Sequence, residues 1–187
     1  ILSVGRISPI KNYEMLIEAA DILINKRLIR DLKFVIAGGV AVPDDTAYLC
    51  SLKDMVKKRG LEDYFVFVGP VSHRDIQKLY TTCDLLVSTS NTGSLDKAVL
   101  EAMACGKVIC TCNEAFSDCL KIYSHILLFK KDIPQSLAEK IIYILGMDAQ
   151  DRQALGSNLR EIVVRDHNLN NFIDKIITIF KDTINNN

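Results

Sequence analysis

Arg6 and Lys11 lie five residues apart in the segment Gly5-Arg6-Ile7-Ser8-Pro9-Ile10-Lys11-Asn12, which joins an apolar run to an amphipathic one. A guanidinium offers a two-pronged fork to an oxyanion and an ammonium a mobile point charge, so the two together suit a diphosphate. Read more plainly, they are solvated loop charges. The segment is not a P-loop, which would put a second glycine at Ile10 and a Ser or Thr at Asn12. A second segment runs from Ser88 through Thr92, Gly93, Ser94, Leu95, Asp96 and Lys97 to Glu101 and Gly106. Its first half is a polar Ser/Thr/Gly loop and its second half has helical spacing, with Ser94 the expected N-cap. Asp96 then falls in the first turn, where a carboxylate suits the helix dipole but would oppose a phosphate. Glu101 follows among Val99, Leu100, Ala102 and Met103. A carboxylate in such company needs a partner or a pocket, unless it simply faces solvent.

Such side chains act only if the chain holds them at one place. Six short apolar runs, at 1–4, 33–37, 65–68, 85–88, 107–111 and 126–129, are expected as strands buried on both faces. Between them, 12–27, 46–59, 73–83 and 95–105 have the spacing of amphipathic helices. Alternating strands and helices imply a doubly wound α/β domain with a parallel sheet. Its ligands belong beyond the carboxyl ends of the strands, near helix N-termini. Three of those ends carry glycine, at Gly5, Gly38 and Gly69, which admits a close backbone approach or merely a tight turn. The pattern changes after the α/β core of about residues 1–130. The tail, 131–187, is expected as helices at 133–145, 149–164 and 169–184. The last has a wide apolar face at Phe172, Ile176, Phe180 and Ile184, to be covered either by this sheet or by a neighbouring domain.

Composition narrows the class. The 187 residues carry 23 Lys and Arg against 23 Asp and Glu, with 49% hydrophobic residues, a globular mix that excludes disorder. Charge balance argues against a nucleic-acid partner, and no run approaches the length of a membrane span. No secretory leader is expected, because Ile1 opens directly in an apolar run. The six cysteines form no pair of C-x-x-C knuckles, so no metal site is expected. Reduced thiols, with Cys110 and Cys112 packed in the core, fit a cytosolic setting.

Taken in order, Ser3-Val4-Gly5-Arg6-Ile7-Ser8-Pro9 with Lys11-Asn12, Phe34-Val35-Ile36-Ala37-Gly38, and Val66-Phe67-Val68-Gly69 with Val71 and His73 resemble one known family. Leu79-Tyr80, Cys83-Asp84-Leu85 and Leu100-Glu101-Ala102-Met103-Ala104-Cys105-Gly106 complete the match. It is the carboxyl-terminal, donor-binding half of group 1 (family four) glycosyltransferases of the GT-B, Rossmann-like fold. The resemblance implies a hexosyltransferase of glycan biosynthesis. It would retain configuration while moving a sugar from a nucleoside-diphosphate sugar to a glycan or lipid-linked acceptor, without a metal or other cofactor. Carried over by position, Arg6 and Lys11 would hold the donor diphosphate and act catalytically on the leaving group. Glu101 would take the ribose hydroxyls, Gly69 and Val71 would face the base, and Gly5, Ser94, Leu95, Asp96 and Lys97 would line the donor sugar and phosphates. His73 is expected to be structural.

Two departures qualify the resemblance. The family pattern has a carboxylate eight residues before Glu101, where this chain has Gly93. That motivates an alternative, a non-catalytic nucleotide-sugar-binding or scaffold module. The resemblance also covers only one of the two GT-B halves. The chain is therefore expected as a single donor domain, 1–187, without the amino-terminal acceptor domain, and inactive alone. The full-length protein would be cytoplasmic, with room for peripheral association at the inner face of a membrane.

Overall fold

The computed structural model describes residues 1–90 and 92–185, without the side chains of residues 43, 44, 184 and 185. Five strands, β1 (Leu2–Val4), β2 (Phe34–Ala37), β3 (Phe65–Gly69), β4 (Leu86–Ser88) and β5 (Ile109–Thr111), form one parallel sheet in the order β3-β2-β1-β4-β5. The core strands are covered on both sides, and Leu2, Leu86, Val87, Ile109 and Cys110 are all buried. The edge strand β3 differs. Its run Phe-Val-Phe-Val is apolar throughout, yet Val66 and Val68 are 39% and 44% exposed. An unbroken apolar run does not distinguish an edge strand from a central one.

The helices of the alternation are α1 (Tyr13–Asp21), α2 (Pro43–Lys58), α3 (His73–Thr82) and α4 (Lys97–Ala104). α1 runs on through a wider π turn, Ile22–Lys26, that completes the expected helical span. Ser72 caps α3, its hydroxyl accepting from the Asp75 amide at 3.2 Å, so His73 is the first helical residue and not the cap. The expected sixth strand is absent among the described residues. After α5 (Ser117–Leu120), a second short helix, α6 (Ser124–Leu127), runs into the first half of the expected strand. Leu128 then makes a single parallel bridge to Thr111. Leu127 and Phe129 are buried regardless, so the run's hydrophobicity was a true signal of core and a false one of strand.

The tail is helical as expected: α7 (Pro134–Leu145), α8 (Ala149–Asp166) and α9 (Leu169–Asn185). α7 packs on α1, and α8 packs on α4. Gly156 of α8 lies so close to α4's end that a Cβ there would fall 2.1 Å from the Gly106 carbonyl oxygen. Arg160, a turn further along α8, donates to the Ala104 carbonyl. α9 does not pack on this domain's sheet. Phe172 and Phe180 are 61% and 65% exposed, and Ile173, Ile177 and Ile179 are exposed with them.

Candidate functional site

The strand order reverses between β1 and β4, so the connections leaving their carboxyl ends diverge and open a crevice. Those two connections are the segments singled out above. The β1 connection is laced to the end of β2 by its own backbone, Gly5 N–H donating to Ala37 O (3.0 Å) and Ile7 N–H to Gly39 O (2.9 Å), and the end of β2 is tied in turn to β3, Gly38 N–H donating to Gly69 O (2.9 Å). The approach is close enough that a Cβ on Gly38 would sit 1.8 Å from the Gly5 carbonyl oxygen. Lys11 then folds back over Gly5, where a Cβ would come within 2.7 Å of the lysine Cε. Two tyrosines brace this end. The Tyr13 hydroxyl donates to Gly5 O at 2.9 Å, and the Tyr48 hydroxyl accepts from the Tyr13 amide at 3.1 Å while donating to the Glu14 carboxylate. The first amide of α1 is thus taken by a hydroxyl from α2.

The β4 connection is held just as firmly. Ser88, Thr89 and Ser90 are buried. The Thr89 hydroxyl donates to Lys11 O at 2.5 Å, and its carbonyl accepts from the Cys112 thiol at 3.3 Å. From the end of β5, the Asn113 side-chain amide donates to Ser94 O at 2.7 Å. Ser94 is not the N-cap of α4. Asp96 is: its Oδ1 accepts from the Ala98 amide at 3.2 Å, and its backbone carbonyl from the Val99 amide at 3.1 Å. The helix starts two residues later than its apolar spacing suggests, because the extended backbone at Asp96 leaves Leu95 outside.

The other Asp96 oxygen joins the two connections. Oδ2 lies 2.8 Å from Lys11 Nζ and accepts from the Ser88 hydroxyl at 3.1 Å. The two charged side chains are 9% and 20% exposed. Two candidates that sequence placed 85 residues apart therefore touch. The Asp96 charge also reaches Tyr13 and Tyr80, whose phenols are held protonated to high pH, first by burial and then by neighbouring carboxylates. Tyr80 supplies the partner that Glu101 needed: its hydroxyl donates to Glu101 Oε2 at 2.8 Å.

The other expected residues take different positions. Arg6 is exposed, and its guanidinium makes no ion pair among the described residues. Leu95 and Lys97 flank Asp96 on the exposed rim, and Val71 follows Gly69 on the β3 connection. Gly93, where the family pattern has a carboxylate, lies at φ +73° with open space where a Cβ would point. A side chain would fit there, but the left-handed backbone would be strained. Sequence reasoning missed Ser88 and Tyr80 as partners of Asp96 and Glu101, and it missed the buried hydroxyls of Ser8 and Ser90. These last two bond to nothing among the described residues. The usable signal was Asp96 itself, an N-cap residue type directly before the apolar run. Cys110 and Cys112 are core residues, burial pushing the Cys112 thiol up to about 11, and no group of three metal-ligating side chains occurs among the described residues.

An open parallel sheet that reverses its order between β1 and β4 defines a domain of the doubly wound α/β class. Residues 1–162 match the family model of glycosyl transferases group 1, and the chain belongs to that family. A mannosylfructose-phosphate synthase of Agrobacterium fabrum is 32% identical over 106 residues, 57% of this chain and 23% of the relative. The Anabaena Alr3699/HepE structure solved with UDP superposes at a TM-score of 0.83 with 22% identity, covering 97% of this chain and 48% of that one. The C-terminal domain of the Francisella tularensis group 1 protein LpcC superposes at 0.76 with 23% identity, covering 90% and 86%. The chain thus spans about a quarter of the Agrobacterium relative's length, and its fold is that of the carboxyl-terminal half of a GT-B glycosyltransferase. Among the described residues, no helix is long and apolar enough to cross a membrane.

Proposed function

We propose that this chain is the donor-binding domain of a retaining hexosyltransferase, taking a nucleoside-diphosphate sugar at the β1–β4 crevice and working against an acceptor domain outside residues 1–187. The observation that carries this reading is the placement of Arg6 and Lys11 on the connection that leaves β1 at the switch point. Cations there, Lys11 held in place and Arg6 free to reach, stabilise the charge that develops on a leaving diphosphate, which removes the need for a metal. Glu101, steadied by Tyr80, is suited to accept from ribose hydroxyls. The β3 connection at Gly69 and Val71 would face the base. The rim of Ser94, Leu95 and Lys97, with Gly5 beneath Lys11, would meet the sugar and phosphates. The exposed apolar face of α9 supports an association with the acceptor half, which would also carry any contact with a lipid acceptor at the inner face of a membrane.

A second reading has its own observation. Gly93 offers no carboxylate at the place where the family pattern has one, which favours a nucleotide-sugar-binding module without transfer. One experiment separates the two. The full-length protein is titrated with UDP, GDP and ADP by thermal shift, beside Arg6→Ala and Glu101→Ala, and then assayed with the sugar of the nucleotide that binds. Ligand at about a hundred times its dissociation constant adds about 2.7 kcal/mol, an easily read shift. Binding lost in both variants, with turnover in the parent, supports the enzyme. Binding without turnover supports the module, and no binding by any nucleotide sinks both. The 187-residue chain alone is expected to bind but not to transfer.

A further inference from the structure

We infer that Asp96 is a positioning residue for Lys11: its carboxylate ties the lysine of the β1 connection to the start of α4 and so aims the ammonium into the crevice. The inference rests on reading the crevice as a nucleoside-diphosphate site. It assigns Asp96 a role that acts through another residue, not through contact with the donor sugar.

The geometry leaves that carboxylate little else to do. Oδ1 is taken by the Ala98 amide, and Oδ2 by Lys11 Nζ and the Ser88 hydroxyl, with the side chain 9% exposed. Lys11 in turn is held along its whole length. Its carbonyl accepts from the buried Thr89 hydroxyl, its Cε lies over Gly5, and its ammonium ends on Asp96. An ammonium has three donors, and the carboxylate uses one, so the others stay free for an incoming oxyanion. Lysine is otherwise a flexible point charge that must be ordered before it can stabilise a transition state. Asp96 does that ordering in advance. The arrangement also accounts for the amino end of α4, whose Ala98 amide is occupied by a carboxylate and not available to a phosphate.

A lysine held by a counter-ion is well aimed but partly neutralised, and that combination gives a distinctive signature. In Asp96→Asn the cap survives, because Asn accepts from the Ala98 amide as well as Asp does, while the ion pair is lost. In the full-length protein, affinity for whichever of UDP, GDP and ADP binds the parent should rise about three- to tenfold, because a negative charge beside the diphosphate is gone. Hydrolysis or transfer of the matching probe, UDP-glucose, GDP-mannose or ADP-glucose, should slow by about tenfold or more, because the ammonium is no longer aimed. In a Lys11→Ala background the same Asp96→Asn change should leave the rate unaltered, while the affinity gain from removing the charge persists. Ser88→Ala, which loosens the carboxylate without touching the cap or the charge, should slow the rate by a smaller factor and leave affinity near the parent's, and it carries the test if Asp96→Asn does not fold.

Two results would overturn the inference. Equal losses from Asp96→Asn with and without Lys11 would mean that the carboxylate touches the donor itself. No change in either quantity would mean that it only caps the helix. Failure of the parent to bind any of the three nucleotides is a different result, and it would remove the donor-site reading together with everything that rests on it.

Discussion

α4 and α9 are both amphipathic helices, and the structure treats them oppositely. α4 buries Ala98, Val99, Ala102 and Met103 against the sheet and receives α8 along its length. α9 has the wider apolar face, yet Phe172, Ile173, Ile177 and Phe180 stand in solvent. Their starts differ in the same sense. α4 begins at Asp96, whose carboxylate also reaches the β1 connection. α9 begins on a local cap, the Asn168 side chain accepting from the Asn171 amide at 2.8 Å. An apolar stripe shows that a helix has something to bury, but the partner is set by where the rest of the chain places it.

The largest effect should come from the buried stripe. Met103→Ala is expected to destabilise the 187-residue chain by about 2–5 kcal/mol, read as a lower urea midpoint. Gly156→Ala, which drives a methyl into the Gly106 carbonyl where α8 crosses the end of α4, should cost about 1–3 kcal/mol. An unchanged midpoint would mean that the two helices are not in close register. Asp96→Ala removes the cap and the cross-loop pair and should cost about 1–2 kcal/mol. Asp166→Ala, which removes only an exposed pair with Arg165, should leave the melting temperature where it was.

On α9 the expectation reverses with context. Phe172→Ala should change the stability of the 187-residue chain by less than about 0.5 kcal/mol. In the full-length protein the same substitution should cost several times more if the acceptor half covers this face. Equal small effects in both would break the proposed association.

The gentlest test uses pH on the buried side, where the Cys112 thiol donates to Thr89 O. Burial raises this thiol from 9.0 to about 11, so the folded chain keeps a proton there that the unfolded chain has lost. The folded state binds more protons between those values, and its stability must fall as pH rises from about 9 to about 11. Melting temperatures across that range should fall less steeply for Cys112→Ala than for the parent. Parallel slopes would show that the thiol ionises as freely folded as unfolded.

Much of this architecture was legible beforehand. The five strand segments, their alternation with helices and the helical tail follow from apolar runs and 3.6-residue spacing, which are local properties. The error at 126–129 has a local cause as well: a short apolar run carries no period, and closing a helical turn at Leu127 buried Leu127 and Phe129 as well as a strand would have. Ser94 was favoured as a cap because a polar loop precedes it. The cap is Asp96, whose carboxylate also has a second, distant partner in Lys11. No spacing rule reports on a partner 85 residues away.

The class of the domain and the residue types gathered at the carboxyl ends of its strands were readable locally, because composition and periodicity act through neighbours along the chain. That Lys11 meets Asp96, that Tyr80 holds Glu101, that Tyr48 takes the Tyr13 amide and that the face of α9 is left bare emerged on assembly of the whole domain. Those outcomes depend on which connections the reversal of strand order between β1 and β4 brings together, and that is a property of the assembled sheet.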